Sequence, residues 1–345
     1  MRVLVAPDSF GGTLSAVEAA AAIAAGWRDS SPADELDLAP MSDGGPGFLD
    51  VLRQGLVGDI VTVTVDDPLG RPVAGHLLIV DRTAYVESAQ ACGLHLMSPE
   101  ERNPMAATTR GVGHLLAAAR ERGAARVVVG LGGSGTNDGG RGMWEALGGR
   151  YEAELVAATD VDNPLLGPNG ASAVFGPQKG ADRAMVLDLD DALRAWADEV
   201  ESSAGRRGVR DRPGAGAAGG LGFALFALGA TRVSGLDLVA DAVGLAERVA
   251  AADLVVTGEG RFDSQSLRGK VPAGVARLAQ EQGLPCVVIA GQAEVGRRDA
   301  AAMGVEEVAS VAELLGSPGA ALQAGPDGVR RVAAQVARAW GNTHR

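Results

Sequence analysis

Short Val/Ile/Leu runs alternate with Ala-rich stretches of helical period along most of the chain. Residues 3–6 read as a buried strand, and residues 15–28 as a helix with Ser15 as its cap. Residues 36–39 predict a second strand, and residues 50–56 the end of a helix that opens in the glycine-rich turn before it. This alternation predicts an α/β class with a parallel sheet. Residues 60–95 differ: 60–65 alternate with period two, Asp67-Pro68-Leu69-Gly70 is a turn, and 74–80 and 83–87 read as antiparallel partners. The α/β pattern then returns, with helices over 108–122, 141–147 and 188–204 and strands over 126–131, 253–257, 286–290 and 305–310. A helix over 328–340 closes the chain. An antiparallel block between two α/β regions predicts a discontinuous arrangement, one domain from both chain ends and a second inserted between them.

Composition removes several function classes. The 345 residues carry 31 Lys+Arg against 43 Asp+Glu, a net charge of −12. At a pI near 4.9, the chain lacks the basic footprint of a phosphate-backbone binder, so no nucleic-acid partner is expected. No apolar run reaches the roughly 18 residues a membrane span needs. The opening residues turn acidic too soon for a signal peptide, and the expected location is cytoplasmic. Cys92 and Cys286 form no framework and read as two buried thiols. His76, His95, His114 and His344 stand outside the glycine loops and show no ligand spacing.

The 50 glycines matter through their placement, because they cluster after strands and before helices. Backbone N–H groups approach an anion there, and side chains would block the approach. The first loop is Pro7-Asp8-Ser9-Phe10-Gly11-Gly12, and the second is Ser42-Asp43-Gly44-Gly45-Pro46-Gly47. The third runs from Gly130 to Gly140 and holds Gly132, Gly133, Ser134, Asn137 and Asp138; the fourth spans 214–222. The fifth is Thr257-Gly258-Glu259-Gly260-Arg261-Phe262-Asp263-Ser264-Gln265-Ser266, leading through Arg268-Gly269 to Lys270. Four of the five mix glycine with hydroxyls, amides and an acid, which suits a polyphosphate and its Mg²⁺. Gly130–Gly135 also matches G-x-G-x-x-G after a strand, as does Gly214–Gly219, so a nicotinamide-dependent oxidoreductase is a competing reading. Only Lys179 and Lys270 are lysines, and both stand in or beside such loops.

Taken together, Ala6-Pro7-Asp8-Ser9-Phe10, Ser42-Asp43-Gly44-Gly45, Gly130–Gly140, Asp160-Val161-Asp162-Asn163-Pro164, Val174–Ala181 and 257–271 resemble the bacterial glycerate kinases nearly end to end. The resemblance implies ATP-dependent phosphorylation of D-glycerate with Mg²⁺. It also implies a Rossmann-like parallel-sheet domain of residues 1–65 plus 284–345, an inserted mixed α+β domain of 66–283, and a site in the cleft between them. On this reading Asp8, Asp43, Asp263 and Lys270 are catalytic, with Asp8 or Asp43 as proton acceptor. Ser9, Ser42, Gly44 and Gly45 bind the acceptor. Gly132, Gly133, Ser134, Asn137, Gly258 and Gly260 hold the nucleotide, and Asp138 and Asp160 the metal. The expected assembly is a monomer or homodimer. Two positions depart from the family pattern, Gly11 where a lysine is usual and Pro46 where a glutamate is usual. They keep two alternatives open: another small hydroxy acid as acceptor, or a descendant that binds nucleotide without turnover.

Overall fold

The computed structural model describes residues 1–264, 266–267 and 270–343, so Gln265, Arg268, Gly269, His344 and Arg345 lie outside the described residues. The strands are β1 (Arg2–Val5), β2 (Glu35–Leu38), β3 (Asp59–Asp66), β4 (Pro72–Val80), β5 (Thr83–Glu87) and β6 (Arg126–Gly130). They continue with β7 (Glu154–Ala158), β8 (Thr231–Val233), β9 (Leu254–Phe262), β10 (Cys286–Ala293) and β11 (Glu307–Ser310). One sheet has the order β11-β10-β9-β1-β2 and is wholly parallel. The other runs β3-β4-β5-β6-β7-β8, antiparallel across its first three strands and parallel from β5 to β8. The architecture is α/β, with one parallel and one mixed sheet.

The chain divides into two compact units. The first comprises residues 1–42, 50–55 and 236–345, and the second residues 43–49 and 56–235. The return to the first unit therefore falls at 236 rather than at 284. The reason lies in β9: its apolar residues Leu254, Val255 and Val256 are fully buried, and it pairs with both β1 and β10. A strand that is apolar on both faces belongs in the middle of a parallel sheet. The helix Val271–Glu281 is the crossover from β9 to β10.

Each unit has its own core. In the first, Ile23 and Trp27 of the helix Ala16–Ser30 pack with Val5, Val256, Ile289 and Trp340. Ser15 caps that helix in a capping box with Glu18, which satisfies two otherwise orphaned donors. In the second, Leu77, Leu115, Val127, Val129, Phe223 and Phe226 form the centre. The fourth glycine stretch opens the helix Ala217–Ala227, with Ala218, Gly219 and Gly220 in left-handed conformation. A Cβ on Gly219 would stand 2.0 Å from the Thr136 carbonyl oxygen. Cys92 and Cys286 are free and buried. Among the described residues, no helix is long and apolar enough to cross a membrane.

Candidate active site

In a parallel sheet, ligands meet the carboxyl ends of the strands, at the point where the chain direction across the sheet reverses. In the first unit that point lies between β1 and β9. The loop after β1 is tied there by three backbone bonds. Asp8 N donates to Gly258 O at 2.8 Å, Gly260 N donates to Ser9 O at 3.3 Å, and Met41 N donates to Pro7 O at 2.8 Å. These bonds gather Asp8, Ser9, Ser42 and the end of β9 at one edge of the sheet. Asp8 Oδ1 accepts from the Ser9 amide at 2.6 Å, which shapes the turn.

Gly258 and Gly260, expected in a phosphate-cradling loop, are strand residues. Both lie within β9, and Gly258 stands opposite Ile289 of β10. A Cβ on Gly258 would meet Ile289 O at 2.0 Å, and one on Gly260 would meet Phe10 C at 2.8 Å. These glycines let neighbouring backbones approach, and the Gly260 amide is already bonded to Ser9. Their place in the structure is sheet packing within β9.

Glu259, between them, carries a signal that the sequence reading passed over. Its side chain is 5% exposed, and Oε1 has no hydrogen-bond partner among the described residues. Oε2 lies 3.6 Å from Lys270 Nζ, whose side chain is 34% exposed. Burial pushes the Glu259 carboxyl above its ordinary range; a Ser266 hydrogen bond and the Lys270 charge pull it down, and Asp263 pushes it up. Lys270 is held as the N-cap residue of the helix Val271–Glu281. Asp263 is half-buried, 3.6 Å from Arg261 Nε. An acid flanked by two glycines at the end of a buried strand was the available clue.

The second unit carries its own set at the ends of β6 and β7. Asp43 Oδ1 accepts from the Gly45 amide at 3.1 Å, so this carboxylate shapes its own turn. A Cβ on Gly132 would stand 2.6 Å from Gly45 Cα, and one on Gly44 would stand 2.8 Å from Ala158 O. Pro46 packs on Gly133, where a Cβ would meet its ring at 2.5 Å. The Glu87 carboxylate accepts from the Gly47 and Leu49 amides and holds the same turn from below. Gly133 is exposed, and its amide and that of Gly132 donate to no other described residue.

The polar side chains of the third loop point inward. Lys179 is 1% exposed, and its ammonium donates to Ser134 Oγ at 2.9 Å and Thr136 O at 2.7 Å. Burial brings its amine down to about 8. Asn137 is buried and donates to Ser172 Oγ at 2.9 Å. Asp138 Oδ2 accepts from Thr109 N, Thr109 Oγ1 and Gly142 N, and its Oδ1 accepts from Gly140 N. Burial raises this carboxyl, and the four donors pull it down. Ser134, Asn137 and Asp138 thus tie the loop to Lys179, Ser172 and Thr109, with Asn137 Oδ1 left unpaired. Asp160 is half-buried two residues past the end of β7.

Against known proteins, the model of the glycerate kinase family matches residues 3–154 and 149–341. A Bacillus subtilis glycerate kinase is 43% identical over 325 residues, covering 84% of this chain and 85% of that protein. The chain belongs to the glycerate kinase family. The Escherichia coli glycerate 2-kinase is 38% identical over 371 residues, covering 98% of this chain and 97% of its own. A solved structure of a candidate glycerate kinase 2 from Salmonella typhimurium LT2 superposes with a TM-score of 0.75 at 36% identity, covering 99% and 98% of the two chains. Membership accounts for the G-x-G-x-x-G matches without a dinucleotide. In this member of the glycerate kinase family, Gly130–Gly135 turns around a buried lysine, and Gly219 is packed on Thr136.

A larger open concavity of about 960 Å³ runs along the edge strand β11 and holds none of these residues.

Proposed function

We propose that this protein transfers the γ-phosphoryl group of ATP to a hydroxyl of D-glycerate, giving phosphoglycerate and ADP. The observation that carries the reading is the match to glycerate kinases along nearly the whole chain. Phosphoryl transfer demands mainly positioning and charge stabilisation, which is what the strand-end groups offer.

In this reading the exposed Gly132–Gly133 turn offers two unengaged amides to phosphate oxygens. Lys270, half-exposed at the end of β9, meets the charge that develops on the transferred group. Asp8, Ser9, Ser42, Asp43, Gly44 and Gly45 are the groups assigned to the acceptor. Asp8 or Asp43 receives the hydroxyl proton, and Asp263 orients Lys270.

Among the described residues, no group of three or more His, Cys, Asp or Glu side chains could hold a metal ion. That fits a Mg²⁺ that arrives on the triphosphate, for which one or two carboxylates suffice. Asp138 and Asp160 are the expected ligands, and both oxygens of Asp138 already accept bonds from Thr109, Gly140 and Gly142. Bound Mg²⁺ would neutralise phosphate charge.

The test is ADP release by the purified protein with ATP-Mg²⁺ and D-glycerate, with other small hydroxy acids in parallel. Turnover with D-glycerate supports the reading. Turnover only with a different hydroxy acid moves the acceptor and leaves the kinase, whereas ATP binding without turnover on any of them overturns it.

A further inference from the structure

We infer that Glu259 is a positioning residue for phosphoryl transfer: its buried carboxylate aims the Lys270 ammonium at the place where the phosphate arrives. The inference rests on the kinase reading above, in which Lys270 meets the transferred group.

Three observations carry it. The first is place. Glu259 stands on the central strand of the parallel sheet, at the carboxyl end, one residue from the backbone bond between Gly260 and Ser9. The second is cost. A carboxylate 95% removed from solvent is expensive unless fully paired, and an apolar side chain would pack there more cheaply. Glu259 is only half paired, with Oε2 facing Lys270 and Oε1 facing no donor among the described residues. That oxygen carries an uncompensated desolvation cost. The third is asymmetry. Lys270 has the buried acid on one side and solvent on the other, so its remaining donors are open to an anion.

The other acids at these strand ends are used differently. Asp8 and Asp43 each bond the backbone of their own turn. Among the described residues, the charged groups acting on Glu259 are Lys270, which favours its ionised form, and Asp263, which opposes it. With burial raising the carboxyl, Glu259 takes a proton at a higher pH than an exposed glutamate and then releases its hold on Lys270. Turnover should therefore fall on the acidic side through a limb that belongs to this residue.

The variant Glu259→Gln keeps the shape and removes the charge. We expect kcat to fall by about 10- to 100-fold with KM for ATP little changed, and the acidic limb of the pH profile to disappear. A second readout needs no turnover. Lys179 is buried, so acylation by an activated ester, followed by peptide mass spectrometry, reports Lys270 cleanly. Acylation at fixed pH should be several-fold faster in Glu259→Gln, because the amine is then no longer held against the carboxylate. Should that variant fail to fold, Glu259→Asp, which withdraws the charge by one methylene, must move kcat and acylation in the same directions. A folded variant with unchanged acylation and an unchanged pH profile overturns the inference. If the wild type phosphorylates none of the hydroxy acids, the kinase reading fails while the acylation experiment still decides the coupling.

Discussion

The third and fifth glycine loops look alike in sequence and do opposite things with their charge. Each follows a parallel strand, mixes glycine with an acid and has one of the chain's two lysines nearby. Beneath the loop after β6, Lys179 is buried and donates to Ser134 and the Thr136 carbonyl, while Asp138 takes four bonds from the surrounding loop. Polar groups there are turned inward, and what remains outward is backbone, the Gly132–Gly133 amides. Beyond β9 the glycines are in the sheet, Lys270 is open, and the acid beneath it has an oxygen to spare. The first region is a scaffold that presents amides; the second presents a cation. The lesson is that a motif's composition names its chemistry, whereas burial decides which atoms remain available for it.

That contrast can be attacked from the scaffold side, starting with the largest effect. Asp138→Asn replaces one acceptor oxygen by an amide that faces donors. It should cost about 2–3 kcal/mol of unfolding free energy, read from urea titration. Its Mg²⁺ dependence of turnover should stay close to wild type; a weakened metal requirement at unchanged stability would return Asp138 to the metal.

Lys179→Met comes next. It leaves the Ser134 hydroxyl and the Thr136 carbonyl without their donor, for a loss of about 1 kcal/mol at pH 7 after relief of the buried charge. The pH dependence is more diagnostic. The folded amine sits at about 8 against 10.5 for a free lysine side chain. Below pH 8 it is protonated in both states and contributes no slope. Between the two values the unfolded chain binds the proton and the folded chain does not, so wild-type stability rises with pH by about 1 kcal/mol per unit. A neutral amine still has two N–H groups for its two acceptors. The gap between wild type and Lys179→Met should therefore widen from pH 8 to pH 10. A constant gap would mean that this lysine is not buried in solution.

The smallest effect is expected at Gly11. It is exposed, has a φ of +42°, and a Cβ there meets nothing within 4 Å. Gly11→Lys restores the residue usual in the family at a cost of about 1 kcal/mol for the left-handed backbone. It should change kcat/KM for D-glycerate by only a few-fold in either direction. A gain of 100-fold or more would show that the missing charge limits this protein.

How far the sequence carries depends on the element. Strands with an unbroken apolar run, such as residues 126–130 and 286–290, are legible because periodicity and burial agree. Strand β8, with three residues, is hidden beside the glycine-rich fourth stretch, and β9 is cut short in the reading because Gly258 and Gly260 look like a loop. Only the partner strand shows that a Cβ would not fit there. At the site, residue types are legible and directions are not. Ser134 and Asp138 have the right chemistry for phosphate and metal, yet they are bonded to Lys179 and to Thr109, Gly140 and Gly142; Asn137 donates to Ser172 and leaves its Oδ1 unpaired. Glu259 shows the converse, since its significance lies in an unpaired oxygen that no sequence pattern displays.

The central claim is that the open lysine of β9 does chemistry and the buried one beneath the third loop does not. The most direct test is kcat of Lys270→Ala for ATP and D-glycerate, on protein whose unfolding midpoint matches wild type. The account predicts a loss of about 100-fold or more. A folded Lys270→Ala that turns over at the wild-type rate would contradict it.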